Sequence, residues 1–368
     1  MKKRIITLFV TCGLFVASCS NDKDDEMFVE PKTVVEPKTL SFDTDLNSSL
    51  MFQDSESEEV MTANDRRYNI AHLIRVKAVD QKSIEIANFS PIDIQDATIV
   101  ATISSGVGSP SQVVKLFKIS KIRAHAKQII KYPFVEGTTL FLDMDNNTVD
   151  LSQYSTTGID PSKIAFDFTG DNPTIVTLKK LDKLKWDIQY HDFNPTNDPN
   201  SNWSDDITPK QVRRFTGLMI NLGLIIVSDT FKQEFLKEQI IGNDGTTVLT
   251  LAEKEKTYND LLIHPFFQCG AVGRAGNNTI GLGGGSTFGL ADYVIKDYIN
   301  KIGYGDTPAH ELGHCVDFNH SSNMTYPKTI DNISTGFSPV MIRMFNKFFA
   351  EKSFVITLNN YYKPADFN

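Results

Sequence analysis

The sequence predicts an α+β protein in two parts, an N-terminal β-sandwich domain over residues 65–194 and a mixed α+β domain over residues 195–368. Three observations predict it. Short alternating or β-branched runs, separated by turn clusters, recur through the first part at the spacing of a sandwich. A dense stretch of turn residues between Pro195 and Asp206 then interrupts the pattern. After it, helical patterns open at Thr208-Pro209 and return several times before the C-terminus. The 368 residues, 40% apolar and 22% charged, can bury a real core, which excludes wholesale disorder.

Residues 1–18 read as a signal peptide outside the fold. Lys2, Lys3 and Arg4 form a basic start, and Ile5–Ala17 is an apolar run too short to span a bilayer comfortably. Val16-Ala17-Ser18-Cys19 resembles a bacterial lipobox, which is cut before its cysteine. The resemblance implies a lipid on Cys19, anchoring by about 0.8 kcal/mol per buried methylene. The acidic run Ser20–Glu26 resembles the surface-export signal of Bacteroidetes-type lipoproteins. Together these imply a lipid anchor in the outer membrane, with the protein displayed at the cell surface. Residues 19–64 read as the lipidated cysteine and a flexible tether, polar and acidic, with Val-Glu-Pro-Lys-Thr repeated at Val29–Thr33 and Val35–Thr39.

Loss of residues 1–18 removes three positive charges and no negative ones, so the formal charge moves from −8 to −11. An acidic mature chain argues against a nucleic-acid partner, because phosphate neutralisation needs Lys and Arg. The membrane is expected only through the lipid: the strongest apolar run, Leu218–Val227, contains Asn221 and Gly223 and reads as core. Of four cysteines, Cys12 leaves with the signal and Cys19 is the anchor. Cys269 and Cys315 are left, either bridged or as two buried thiols.

The strand runs are Ala71–Ala78, Ser83–Ala87, Ala97–Ile103, Val113–Ile119, Gln128–Tyr132, Thr138–Leu142, Thr174–Leu178 and Leu184–Tyr190. His72, His125 and His191 lie singly among them and read as surface or core residues, as does His264 before Pro265. In the second part, helices are expected from Thr208-Pro209, from Ser228-Asp229 toward Ile240, over Leu290–Ile302, and from Ser338 to about Glu351.

The chemistry lies in His310-Glu311-Leu312-Gly313-His314, with a third histidine, His320, six residues on. His310 and His314 are one helical turn apart, so both imidazoles leave the same face. They can meet one zinc ion, each at about 2.0–2.1 Å. The chain must turn sharply to bring back His320. Three protein ligands leave a fourth position open for water, the arrangement of a catalytic zinc. Glu311, beside the first ligand, can reach that water and take its proton as it attacks a peptide carbonyl. Glu351 is the only glutamate after Glu311 and lies 37 positions beyond His314, a poor alternative to His320 as third ligand.

This spacing resembles that of metzincin zinc peptidases, His-Glu-x-x-His-x-x-Gly-x-x-His with a Met-containing turn, over roughly residues 270–345. The His-Glu-Leu-Gly-His-Cys opening is similar to bacterial dual-action HEIGH peptidases. The resemblance implies a metzincin-like catalytic domain that binds extended peptide along an edge strand. It places that strand at Asn278–Gly283, with Thr279, Ile280, Gly281, Leu282 and Gly283 as substrate-binding residues, although the same Gly-rich stretch also reads as a plain loop. It makes Met324, in Asn323-Met324-Thr325-Tyr326-Pro327, the Met-turn methionine, with Met341 as the alternative. The ending resembles the Met-Tyr-Pro of matrixins. Tyr326, and more weakly Tyr304, then caps the metal or stabilises the oxyanion; a packing aromatic is the other reading. Two features depart from the pattern. The glycine after the second ligand is Asp317, and only three residues separate His320 from Met324, fewer than in matrixins. The expected function is an extracytoplasmic zinc-dependent endopeptidase acting on peptides or proteins. The alternative is an inactive surface lipoprotein used for binding or adhesion. Latency through a cysteine on the metal has no candidate, because residues 20–268 contain no cysteine.

Overall fold

The structure, a computed structural model, describes residues 35–42, 47–104, 111–193, 196, 203–204, 206–273, 278–299 and 305–368. The expected signal peptide, Cys19, the acidic run after it and Tyr304 lie outside the described residues. The fold is mixed α+β, with several sheets and eight α-helices among the described residues.

Two sheets are built mainly from the first half of the chain. One has the order Thr148–Asp150, Leu140–Asp143, Gln112–Ile122, Ile94–Ile103, Ile164–Thr169. The other has the order Ser49–Leu50, Ala126–Lys131, Ser83–Asn88, Ile74–Ala78. Alternation drives them: Ala97, Ile99, Ala101 and Ile103 turn to the core. A register shift between Ile99 and Val100 lets Leu116 and Phe117 both stay buried on the partner strand.

The composition of residues 19–64 reads as a tether, yet its described part is packed. Lys38–Leu40 runs parallel to Gln112–Ile122, and Ser49–Leu50 pairs with Ala126–Lys131. Phe42, Met51, Phe52 and Met61 are buried. These apolar residues stand singly or in pairs among polar ones, so no periodicity announces them. Thr174–Leu178 forms a helix instead of a strand, Pro173–Leu178. Its Asn172 cap accepts from Thr174 N, and Pro173 supplies the first helical φ, which together override the β-branched residues.

The third sheet carries the site. Its order is Gly281–Gly284, Thr287–Ala291, Phe266–Val272, Asp187–Tyr190, Tyr68–Asn69. Strands from both sides of residue 194 therefore share it. Leu290 and Ala291 belong to this sheet, and the helix expected from Leu290 begins at Asp292. Behind it runs Pro209–Ile226, opened by a capping box between Thr208 and Gln211. Its apolar run is buried in the protein, in keeping with core. The last long helix is Phe337–Ala350, starting one residue before Ser338 because Gly336, at φ 125, sets the turn into it.

Candidate metal centre and cleft

The centre is built on the helix Asp306–Cys315 and the loop that follows it. His310 and His314 leave one face of the helix, with their Nε2 atoms 3.1 Å apart. The helix then ends in a Schellman motif: Asp317 N bonds His314 O at 3.1 Å and Phe318 N bonds Gly313 O at 3.0 Å. That motif needs a left-handed residue, and Asp317 takes it at φ 67. Aspartate tolerates this region better than most side chains, so the turn forms without glycine. The reversed chain brings back His320, whose ring centroid lies 4.7 Å from that of His314. One ligand nitrogen from each of the three histidines lies within 4.8 Å of the others.

Backbone carbonyls fix two of the imidazoles. His310 Nδ1 donates to Thr325 O at 3.0 Å, and His314 Nδ1 donates to Phe318 O at 2.7 Å. A carbonyl only accepts, so each proton sits on Nδ1 and each Nε2 presents a lone pair. Burial pushes His310 down to about 4, helped by the neighbouring His314, and also lowers His314. Both rings are thus neutral, the ligating form. Two lone-pair nitrogens with fixed tautomers, converging with a ring nitrogen of His320, fit a divalent metal, and imidazole suits zinc.

Glu311 lies against the wall of the same site and is 5% exposed. Burial alone raises its carboxyl to about 8. A cation at the three imidazoles would favour its charged form and draw it back down. The wall is the strand Gly281–Gly284, an edge of its sheet. A Cβ on Gly281 would lie 1.9 Å from Glu311 Oε1, and one on Gly283 would lie 2.5 Å from Glu311 O. Glycine is therefore what lets the strand lie on the carboxylate. Ala291 N donates to Ile280 O at 2.7 Å, so Ile280 and Leu282 bond inward to the sheet. By antiparallel alternation, the N–H and C=O of Gly281 and Gly283 face the open edge.

A cleft of about 730 Å³ joins these parts, lined by Thr279–Gly283, His310, Glu311, His314, His320 and Tyr326. Tyr326 is 54% exposed, its ring 4.5 Å from that of His310 and 5.0 Å from that of His320. Met324 is fully buried beneath the helix. A Cβ on Gly313 would lie 2.3 Å from Met324 O, so the helix rests on this turn through bare backbone. Met341 is also buried, but on the helix Phe337–Ala350. No family model, curated protein or solved structure matches this chain.

Cys269 and Cys315 are unbridged, buried thiols. Cys315 Sγ donates to Thr287 O at 3.1 Å, and burial pushes its thiol up to about 12. His264 stacks on Phe267 and its Nε2 meets Gly285 O at 3.0 Å, which pins the turn after the edge strand. His125 and His191 are buried elsewhere. Two features of the site escaped sequence reasoning. Thr325 and Phe318 act through their carbonyls, which no side-chain pattern reveals. Asn243 bonds the main chain on either side of Phe318, from a loop whose Asn243-Asp244-Gly245 gives only a turn signal.

Proposed function

We propose that the protein is an extracytoplasmic zinc-dependent endopeptidase. The observation that carries this reading is the convergence of three imidazoles beside a buried carboxylate, in a cleft bounded by an open strand edge. His310, His314 and His320 hold the metal. Zinc, when bound in such a three-histidine site, acts as a Lewis acid on a carbonyl oxygen and lowers the pKa of a coordinated water. Glu311 takes the proton of the attacking water on its carboxylate and delivers it to the leaving amine nitrogen. Gly281 and Gly283 align an extended peptide through its main chain, largely independent of its side chains. Tyr326, exposed at the rim, would stabilise the developing oxyanion with a hydrogen bond from its hydroxyl.

The finer architecture follows the same reading. The site helix, the Schellman return, the turn at Met324 and the edge strand support a metzincin-like catalytic domain, and the two sheets of the first half support a β-sandwich beside it. A lipid on Cys19 would hold the protein at the outer membrane, facing outward, where peptides or proteins are its partners.

Elemental analysis of the purified mature protein tests the centre. About one zinc per chain is expected in the wild type and loss of it in His314→Ala. Peptide hydrolysis is expected in the wild type and absent in Glu311→Ala, which keeps its zinc. A wild type that takes up no zinc after incubation with the metal sinks the proposal.

A further inference from the structure

Each of the first two histidines has its own carbonyl on Nδ1, and His320 does not. Among the described residues no hydrogen bond holds its ring, which lies beside the rings of His310, His314 and Tyr326. Its place is therefore set by the main-chain turn that carries it. That turn is gripped from outside. Asn243, in the loop between the helices Asp229–Lys237 and Leu251–Ile263, donates Nδ2 to Asp317 O at 2.8 Å. Its Oδ1 accepts from Asn319 N at 2.8 Å. Asn319 Nδ2 reaches back to Asn243 O at 3.4 Å.

The same loop holds the far end of the turn. Ser322 Oγ donates to Ile241 O at 2.6 Å, and Ile241 N donates to Asn323 Oδ1 at 2.6 Å. The loop is itself preformed. Gly242 N bonds Thr247 O at 2.8 Å, and Asp244 Oδ1 accepts from Thr246 N and Thr247 N, each at 2.9 Å. So His320 sits midway along a segment clamped at residues 317–319 and 322–323 by one rigid loop more than seventy positions upstream.

We propose that Asn243 is the positioning residue for the third metal ligand. It acts through the backbone at Asp317 and Asn319 and substitutes for the carbonyl contact that the His320 ring lacks. This rests on the metal reading of the three histidines. Outer partners of ligating histidines typically change metal affinity by about 10–100-fold when removed. An exposed side chain acting through two main-chain bonds belongs near the lower end, about tenfold.

The test titrates zinc into the mature wild type, Asn243→Ala, Asn243→Asp and His320→Ala against a chromophoric chelator. It also records the visible spectrum of each protein with cobalt(II), beside a thermal melt of the metal-free form. Asn243→Ala is expected to bind zinc about tenfold more weakly, with its cobalt bands moved toward those of His320→Ala and its metal-free melt close to the wild type. Asn243→Asp keeps the acceptor for Asn319 N and loses the donor to Asp317 O, so it should fall between. Wild-type affinity and an unchanged cobalt spectrum in Asn243→Ala would overturn the proposal. Where Asn243→Ala does not fold, wild-type behaviour of Asn243→Asp overturns it equally. A wild type that binds neither metal rejects the metal centre itself, which separates that failure from failure of the brace.

Discussion

At the scale of single residues, the proposed site depends on two kinds of side chain, those that would do chemistry and those that are missing. Gly281 is of the second kind. A methyl group there would overlap Glu311 Oε1, and because the strand is bonded to the sheet on its other side, the carboxylate is what must shift. If the proposed function holds, Gly281→Ala should leave the three histidines able to hold zinc while lowering kcat strongly, since a misplaced base costs about 10²-fold for a shift near 1 Å. Zinc content and steady-state kinetics on one peptide check this; near wild-type kcat would show that the strand can move aside. Glu311→Gln should keep zinc and lose about 10²–10⁴-fold in rate, the usual worth of a general base. The clustering of the histidines with Glu311 was legible because residues four apart share one helix face and the chain must turn back after it. Gly281 was legible only as part of a Gly-rich stretch, because what fixes it is the carboxylate thirty positions away in sequence. Asn243 was not legible at all, since its partners are main-chain atoms of a distant turn.

At the scale of elements, the return from the site helix is the point where local backbone energetics meets the centre. Asp317 holds the left-handed position of the Schellman motif at φ 67. Asp317→Gly should be neutral or slightly stabilising, and Asp317→Val should cost about 1–2 kcal/mol, because a β-branched side chain clashes in that region. The valine variant should also bind zinc more weakly, since the same turn carries His320. Thermal melts and chelator competition measure both; equal melts for the two variants would show that the turn relaxes to another conformation. The sequence pattern foretold this sharp turn and most long strands, from Ser83–Asn88 to Ala126–Lys131. It failed where a local cap outweighs β-branching, at Thr174–Leu178, and where a helix pattern begins inside a strand, at Leu290-Ala291. Short apolar runs do not distinguish strand from helix by periodicity alone.

At the scale of the whole chain, what ties the molecule together is polar as well as apolar. One buried cluster runs from Phe42 to Phe367, and strands from both sides of residue 194 share the sheet that bears the site. Arg213, 1% exposed, ties its own helix to two distant segments at once. Its Nε and Nη2 grip Asp366 at 2.7 and 2.6 Å, and its Nη1 donates to Phe52 O at 2.7 Å and to Asp54 at 2.9 Å. Burial lowers the guanidinium, but Asp366, Tyr362 and Asp54 together outweigh it and raise it, so this charge stays on in the folded protein. Asp366→Ala leaves it without its main counter-charge and should cost about 3–5 kcal/mol, the penalty for breaking a buried pair from one side. Lys363→Ala, which removes a half-buried partner of the exposed Asp54, should cost less than about 1 kcal/mol. Because the clamp and the core both cross residue 194, the cost should fall on the protein as one body. Calorimetry of the mature chain should show a single unfolding transition that moves down intact in Asp366→Ala. Two transitions, with only one of them moved, would mean that the two halves fold as separate domains and that the shared sheet is a weak seam between them.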